Sequence, residues 1–434
     1  MWSNWTGDQT CSPAGTARPA NVAEVVTAVE HARERDWTIR VAGTGHSFTG
    51  AVLTDGMLLS LDRMNKVLDV DRETGLARVE AGIKLKVLNE ELDREGLALP
   101  NLGDIDVQSI AGATATGTHG TGARLPNLSA AIDAAELVLA DGSRLEVSRE
   151  NDPDAWRSAR VSVGALGVVT AMTLRVVPAF TLHAVDEPRP LQRVLDQLDE
   201  LVDSNDHFEF YNFPHSDIAL TRSNNRTDEE PRPRSRARAW VGDELLVNHL
   251  FGLVCRTGRR WPSTIPRLNR LASRLAGTSE RFDRSHRIFV SPRRVRFTEM
   301  EYALPRAHAC EAVLAVRAAV ARGGFKVPFP MEVRFAAPDD AYLSPAHGRE
   351  TCYLAVHMFE QMAWQPYFRA VEKIMIRLDG RPHWGKRHFQ NADSLRSRYP
   401  DWDRYARVRA RLDPRGRFTN DYVGRVLGPP QVDS

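Results

Sequence analysis

The stretch Gly43-Thr-Gly-His-Ser47 decides the fold when it is considered together with a second small-residue run further along the chain. It follows a strand predicted for residues 38–42, and its glycines let backbone N–H groups approach a ligand closely. No third glycine completes a Rossmann fingerprint, and no Gly-Lys-Ser/Thr completes a P-loop. A glycine turn with an incidental surface histidine explains these five residues equally well, so the second run is needed.

The second run is Ser109-Ile-Ala-Gly-Ala-Thr-Ala-Thr-Gly-Thr-His-Gly-Thr-Gly-Ala123, in which thirteen of fifteen residues are Gly, Ala, Ser or Thr. It has little apolar side chain to bury, so it cannot stabilise itself by packing. A flexible linker is the alternative, but linkers rarely mix alanine, threonine and a histidine this densely. Two such loops in one α/β half of the chain predict a single extended dinucleotide that both loops contact.

Helices and strands are predicted to alternate around both loops. The spacing of apolar residues predicts helices over 21–35, capped by Asn21, and from Leu85 to Gly96. Asp141-Gly142, a pair typical of primed turns, predicts a hairpin between 135–140 and 144–147. The closely spaced aromatic residues of 208–213 predict an antiparallel sheet in the later part of the chain. The remaining predicted strands are 38–42, 57–61, 67–70, 77–81 and 168–177, and a loop is predicted over 222–238.

Composition restricts the class of protein. The 434 residues predict two or three domains, and the 58 basic against 56 acidic side chains give a formal charge of +2, which provides no general reason to expect nucleic acid. Four widely spaced cysteines form no CxxC pair, so we expect reduced thiols and no metal site. The N-terminus lacks an apolar signal core, and no stretch reaches about 18 apolar residues. We therefore expect a cytoplasmic protein whose membrane contact, if it has any, is peripheral.

The charge is unevenly distributed, because residues 230–300 hold 16 arginines, no lysine and six acidic residues, a local charge of +10. Residues 261–277 mix leucines with arginines in a pattern that fits a basic surface for an anionic membrane or for an acidic redox partner. A solvated arginine-rich surface is the simpler interpretation, since prolines interrupt the segment.

A third group of residues lies in the later half. Met331-Glu-Val-Arg-Phe335 alternates, so Glu332 and Arg334 are expected on one face of a strand that lines a cleft. Pro382-His-Trp-Gly-Lys386 places an imidazole, an aromatic ring and a cation within four residues. A solvated ion pair on a strand and a tryptophan packed under a loop remain the alternatives at this point.

The two small-residue loops together resemble the FAD domain of the vanillyl-alcohol-oxidase superfamily. The resemblance implies an α+β fold, with a two-subdomain FAD-binding domain over 1–178 and a substrate (cap) domain with an antiparallel sheet and flanking helices over 179–375. Residues 376–434 would complete the active site and pack back on the FAD domain. FAD is the implied cofactor, with covalent attachment through His46 as a frequent addition in that superfamily. The implied FAD contacts are Val41, Ala42, Gly43, Thr44, Gly45, His46, Ser47, Ser109, Thr114, Gly117, Thr118, His119, Gly120, Val169 and His383.

The Glu-x-Arg strand, the His383-Trp-Gly-Lys386 loop and the terminal Asp413-Pro…Phe418-x-Asn420 pattern resemble the sugar-1,4-lactone oxidase branch of that superfamily. This implies catalysis by Lys386, Arg334 and Glu332, with Ser109 and His357 also contacting substrate. The implied reaction is oxidation of an aldono-1,4-lactone, with electrons passing to oxygen, cytochrome c or a quinone. Lys386, if buried, could lose its proton and act as a base. The alternatives are a polyol oxidase, a flavin-independent reductase of the same fold, and a nucleic-acid-binding module.

Overall fold

The computed structural model describes residues 1–234, 249, 251–291 and 294–430 of the chain. The first part of the chain, up to residue 178, carries three small sheets and a larger one, and its helices lie between the strands. Its strands are β1 Trp2–Ser3, β2 Thr10–Cys11, β3 Gly15–Ala17, β4 Ile39–Ala42, β5 Met57–Ser60, β6 Val67–Asp71, β7 Leu76–Glu80, β8 Leu97–Ala98, β9 Ile132–Val138, β10 Arg144–Ser148, β11 Val168–Arg175 and β12 Val177–Pro178. Its helices are α1 Val22–Glu34, α2 Leu85–Arg94, α3 Ile110–Ala115 and α4 Pro153–Arg160.

The remainder of the described chain forms an eight-stranded antiparallel sheet with helices, followed by a helical C-terminal segment. The strands are β13 Thr181–Pro190, β14 His207–Asn212, β15 Ile218–Thr227, β16 Ser279–Arg284, β17 Phe297–Pro305, β18 Met331–Ala336, β19 Thr351–Phe359 and β20 Arg381–Pro382. The helices are α5 Leu191–Asp196, α6 Leu198–Asp203, α7 Phe251–Arg260, α8 Ile265–Leu275, α9 Ser285–Phe289, α10 Ala309–Arg322, α11 Gln365–Arg377, α12 Ala392–Arg396, α13 Trp402–Leu412 and α14 Asp421–Leu427. The predicted α+β class is therefore confirmed.

A small parallel sheet presents the first glycine loop. Strands β3 and β4 both pair in parallel with β5, and α1 connects β3 to β4. Asn21 begins α1 by accepting a hydrogen bond from the Glu24 amide at 3.0 Å, as predicted. Because ligands bind at the carboxyl ends of parallel strands, the loop after Ala42 lies at the edge where a ligand is expected.

Two local predictions are wrong. The hairpin between β9 and β10 exists, but only Gly142 at its tip has a positive φ, +90°, so the tip is not a primed turn. The predicted loop 222–238 is a strand over 222–227, because alternate polar side chains there pair with neighbouring strands; Arg222, for example, binds Asp186 at 2.6 Å. Residues 235–238 lie outside the described part of the chain.

The eight-stranded sheet has two different faces. Its strand order is β16-β13-β15-β14-β18-β19-β17-β20. One face carries apolar side chains such as Val333, Phe335 and Leu354, which form a core with α10 and α11. The other face carries the alternate residues, including Glu332 and Arg334, so the predicted alternation along β18 is confirmed.

The C-terminal segment returns to the first glycine loop. The Asp413 carboxylate accepts the Arg417 and Phe418 amides at 2.7 and 2.8 Å, which shapes the turn before α14. Asn420 then donates to the carbonyl groups of Gly50 and Leu53 at 2.8 and 2.7 Å. The Asp413-to-Asn420 pattern thus attaches the end of the chain to the segment that follows the glycine loop.

Within the described residues, no helix has the length and apolar character needed to cross a membrane.

Replacing Asn420 by Ala tests this attachment. Its side chain makes two hydrogen bonds to carbonyl groups and accepts the Val423 amide at 2.9 Å as the cap of α14. We expect Asn420→Ala to lower the free energy of unfolding by about 3 kcal/mol, measured by urea denaturation followed by circular dichroism. The control Asn65→Ala removes one exposed hydrogen bond and should cost less than about 1 kcal/mol. Equal effects of the two changes would contradict the proposed attachment.

Candidate active site

One cavity of about 610 Å³ lies between the two small-residue loops, 43–47 and 109–123, and the polar face of the eight-stranded sheet. This volume is in the range typical of cofactor and substrate pockets. Residues from both parts of the chain, far apart in sequence, share its wall. The predicted site residues that line it are Val41, Ala42, Gly43, Thr44, Gly45, His46, Ser47, Ser109, Thr118, His119, Val169, Glu332, Arg334, His357, His383 and Lys386.

Three predicted contacts, Thr114, Gly117 and Gly120, lie behind the wall of the cavity. The Thr114 hydroxyl donates to the Ile110 carbonyl within α3 at 2.9 Å. Gly117 has φ +80°, and a Cβ there would meet the Pro345 ring at 3.1 Å. At Gly120 a Cβ would lie 2.2 Å from the Leu102 carbonyl oxygen. These residues shape the second small-residue run through close packing.

The first glycine loop fits a diphosphate. Within the described residues, no protein acceptor is assigned to the backbone N–H groups of residues 44–47, although these residues line the cavity. A Cβ on Gly43 would lie 2.6 Å from the Ser109 hydroxyl, so the two small-residue loops approach each other there as closely as glycine allows. Free backbone amides in a glycine loop form an anion-binding concavity. The residues present therefore suit the diphosphate of a dinucleotide such as FAD.

The glycine loop also contacts the loop that carries Lys386. The Phe48 amide and the Ser47 hydroxyl both donate to the Gly385 carbonyl, at 2.8 and 3.1 Å. The preceding residue, Trp384, is fully buried, and its indole N–H donates to the Leu343 carbonyl at 2.6 Å. The tryptophan therefore anchors a loop whose neighbouring residues face the cavity.

His46 lies at the end of the glycine loop with its ring stacked on Trp5, the centroids 5.5 Å apart. Burial, assisted by the nearby Lys386 ammonium, lowers the pKa of His46 to about 4. At neutral pH the imidazole is therefore uncharged, and a ring nitrogen carries a free lone pair.

Lys386 is held beside Glu299 by the backbone. The Arg387 amide donates to the Glu299 carbonyl at 2.8 Å, and the Lys386 ammonium forms an ion pair with the Glu299 carboxylate. The His357 Nε2 atom lies 3.4 Å from the other oxygen of this carboxylate. Glu299 and His357 are directly opposite each other in the register of β17 and β19.

These contacts overturn the expectation that burial would make Lys386 a neutral base. Burial alone would lower the pKa of Lys386, but the Glu299 and Glu301 carboxylates outweigh it and raise the pKa above its usual value. Burial alone would raise the pKa of Glu299, yet the Lys386 ammonium lowers it to about 2. The pair is therefore ionised over the whole physiological range.

Glu301, His119 and His383 form a second buried cluster, with one potential ligand atom of each within 4.8 Å of the others. His119 directs Nδ1 to the Gly120 carbonyl at 2.8 Å and Nε2 to Glu301 at 3.1 Å. Both ring nitrogens of His119 are therefore engaged within the protein. His383 differs: its Nδ1 accepts the Gly385 amide at 3.0 Å, and burial lowers its pKa to about 3, so it stays neutral.

Arg334 is surrounded by acceptors. It donates from Nε to Glu209 at 2.7 Å, forms an ion pair with Glu332, and lies 3.6 Å from Asp104. Burial alone would lower the pKa of Arg334, but these carboxylates raise it well above the usual value. The Tyr211 hydroxyl lies between the two glutamates and donates to Glu209 at 2.9 Å. Arg334 is thus a fixed cation in the cavity wall.

The sequence reasoning missed Glu299, Glu301 and Glu209. The two glutamates of β17 alternate as Glu-Met-Glu, the same period-two signal that identified Glu332 and Arg334. Glu209 and Tyr211 alternate in the same way along β14. The signal was therefore present, but only the folded sheet brings Glu299, Glu301, Glu332 and Arg334 to one cavity wall, with Glu209 bonded to Arg334.

Comparison with known proteins agrees with this geometry. Residues 172–426 match the family D-arabinono-1,4-lactone oxidase, and residues 13–148 match the family FAD binding domain. The chain belongs to the D-arabinono-1,4-lactone oxidase family. It is 51% identical over 429 residues to an L-gulono-1,4-lactone dehydrogenase of Mycobacterium tuberculosis, a match that covers 99% of both chains. It is 34% identical to an L-gulonolactone oxidase of Mus musculus, over 98% of both chains.

The fold is also found among solved structures. A solvent-stable cholesterol oxidase superposes with a TM-score of 0.82 over 97% of this chain and 96% of that one, at 18% identity. This likeness supports the fold alone. With the FAD binding domain family matched over residues 13–148, it confirms an FAD-binding domain joined to a cap with an antiparallel sheet. Together with the family matches, it makes the protein an FAD-dependent oxidoreductase, so the predicted cofactor is confirmed.

Replacing Gly43 by Ala tests the fit of the glycine loop. The added methyl group would collide with the Ser109 hydroxyl and push the two loops apart. We expect Gly43→Ala to raise the dissociation constant for FAD about tenfold, measured by titrating the apoprotein with FAD and following flavin fluorescence. At Gly277 a Cβ would meet no heavy atom within 4 Å, so Gly277→Ala is the matched control and should bind FAD normally. Normal FAD binding by Gly43→Ala would contradict the assignment of this loop.

Proposed function

We propose that the enzyme oxidises a secondary alcohol of an aldono-1,4-lactone resembling L-gulono-1,4-lactone, giving an ascorbate-type product. The observation that carries this proposal is that two cations, the buried Arg334 and the half-buried Lys386, line the same cavity as the glycine loop. The names of the two relatives, a lactone dehydrogenase and a lactone oxidase, support the substrate class. On this proposal residues 1–178 bind FAD, 179–375 form the substrate domain, and 376–434 complete the site.

The residues proposed to hold FAD are those of the two small-residue loops. The backbone N–H groups of residues 44–47 would bind the diphosphate, Ser109 and His119 would contact the flavin side, and His383 would lie near its pyrimidine end. When bound, FAD accepts two electrons as a hydride from the carbon that bears the hydroxyl group. The neutral imidazole of His46 suits a nucleophile, and its covalent attachment to flavin stays a prediction.

Lys386 and Arg334 are proposed to stabilise the oxygen atom of the reacting alcohol. Loss of hydride requires the hydroxyl proton to leave as well. Negative charge develops on the oxygen as this proton departs, and fixed cations stabilise that charge in the transition state. Glu299 and His383, with pKa values of about 2 and 3, are weak bases. The two cations instead favour loss of the hydroxyl proton to water by stabilising the alkoxide that remains.

The acidic residues are proposed to orient the sugar. Glu332 presents a carboxylate beside Arg334, so it can accept hydrogen bonds from hydroxyl groups that do not react. Ser109 and His357 line other parts of the cavity wall and would restrict the position of the ring.

Comparing the turnover rate on the lactone with the rates on xylitol and sorbitol distinguishes a lactone-oxidising enzyme from a polyol oxidase. Turnover with oxygen against cytochrome c identifies the electron acceptor.

Replacing Lys386 by Met tests the proposed catalytic cation. The change keeps the length of the side chain and removes its charge, so stabilisation of the developing alkoxide is lost. We expect the rate of anaerobic flavin bleaching by L-gulono-1,4-lactone to fall about 100- to 1,000-fold, measured by stopped-flow absorbance. The exposed Lys373 of α11 provides the control, and Lys373→Met should bleach at the normal rate. A normal rate for Lys386→Met would remove this residue from the mechanism.

Replacing Glu299 by Gln tests how Lys386 keeps its charge. Without this carboxylate, burial dominates and the pKa of Lys386 falls. The active form is the charged one, so activity is lost as pH rises through this pKa. We expect flavin bleaching by the native enzyme to show no alkaline decline up to pH ~10, whereas Glu299→Gln declines at lower pH. Identical alkaline limbs for the two proteins would contradict the role given to Glu299.

A further inference from the structure

Helix α8 buries one apolar side chain, Ile265, but its other two buried residues are polar and two of its leucines are exposed. It buries Asn269 and Ser273, whose polar side chains bond to the Val327 and Asn269 carbonyl groups at 2.8 Å each. It leaves Leu271 and Leu275 exposed by 54% and 75%. A helix that served only to cover the core would direct its leucines inwards. Packing within the described residues therefore does not account for the exposed leucines.

Helix α7 and the turn after it also expose large apolar side chains. The residues of α7 that are buried are Gly252, Cys255 and Gly258, whereas Leu253 is 53% exposed. Trp261, which follows α7, is 56% exposed. Four large apolar side chains thus face outwards within 23 consecutive residues, 253–275. Grouped exposed apolar side chains of this kind mark interaction surfaces, whereas single ones do not.

The same segment is strongly basic. Residues 251–275 contain six arginines and no acidic residue. None of the ion pairs recorded among the described residues joins one of these arginines to a carboxylate; Arg259 instead donates to the Gln361 side chain at 2.9 Å. The six arginines are Arg256, Arg259, Arg260, Arg267, Arg270 and Arg274. Among the described residues, the outward face therefore carries positive charge that no carboxylate pairs with.

This surface lies close to the active site. Cys255 of α7 belongs to an apolar cluster with Phe48, Phe297 and Phe329. Phe48 and Phe297 also line the cavity. Helix α7 therefore packs on a cluster of aromatic side chains that also forms part of the cavity wall.

We propose that helices α7 and α8 dock on an anionic lipid bilayer. The positive charge of the arginines favours an anionic partner. The four exposed apolar side chains favour a partner that also has an apolar region for leucine and tryptophan. A bilayer provides both, because leucine and tryptophan enter the interface while arginine side chains reach the lipid phosphates. An acidic soluble protein would satisfy the charge and leave Leu271 and Leu275 without an apolar environment.

Vesicle flotation of the FAD-loaded enzyme tests this proposal. We expect the enzyme to bind vesicles of phosphatidylglycerol and phosphatidylcholine at 50 mM salt and to bind pure phosphatidylcholine vesicles at least tenfold more weakly. Neutralising three arginines in Arg267→Gln/Arg270→Gln/Arg274→Gln should weaken binding about 100-fold. The matched control Arg267→Lys/Arg270→Lys/Arg274→Lys keeps the charge and should still bind.

A separate variant tests how much the exposed leucines contribute to vesicle binding. Leu271→Gln/Leu275→Gln should weaken vesicle binding about tenfold or more, because two side chains can no longer enter the interface. The control Leu68→Gln/Leu314→Gln changes two leucines of other elements that are exposed by 48% and 47%, and it should bind normally. All variants should keep normal flavin content, which separates lost binding from lost folding.

Two results would overturn the proposal. One is no binding to phosphatidylglycerol vesicles by the native enzyme at low salt. The other is binding that the arginine variant loses but the Leu271→Gln/Leu275→Gln variant retains, since this would indicate a purely electrostatic surface for an acidic macromolecule.

Discussion

The contact between the glycine loop and the Lys386 loop is the constraint on which the site depends. Two hydrogen bonds to the Gly385 carbonyl join segments that are more than 300 residues apart in sequence. The buried Trp384 anchors the segment that carries Gly385, and the Tyr422 hydroxyl donates to the Trp384 carbonyl at 2.8 Å. Without this contact the glycine loop and Lys386 would lie on separate surfaces, because they belong to opposite ends of the chain.

Buried charge is the second feature that organises the cavity. Removing a lysine or an arginine from water costs several kcal/mol unless a partner compensates. Glu299 compensates Lys386, and Glu209 with Glu332 compensates Arg334. These pairs raise the pKa of both cations, so the site is built from permanent charges rather than from groups poised to titrate. Such a site is suited to stabilising charge that develops on a substrate oxygen.

Local sequence signals predicted most of the fold and much of the site. The glycine loops, the alternation of Glu332 with Arg334 and the cap at Asn21 depend on neighbouring residues, so they can be read from the sequence. The ionised state of Lys386 and the positions of Gly117 and Gly120 behind the wall could not be, because they depend on residues brought together only by folding. Thr114 differs, since its hydroxyl bonds to the Ile110 carbonyl within its own helix.

The crystal structure of the FAD-loaded enzyme, reduced under anaerobic conditions and soaked with L-gulono-1,4-lactone, tests the shared cavity most directly. The account predicts the FAD diphosphate on the amides of residues 44–47 and the lactone between Arg334 and Lys386, in one continuous cavity. A diphosphate bound elsewhere, or a lactone out of contact with both cations, would contradict it.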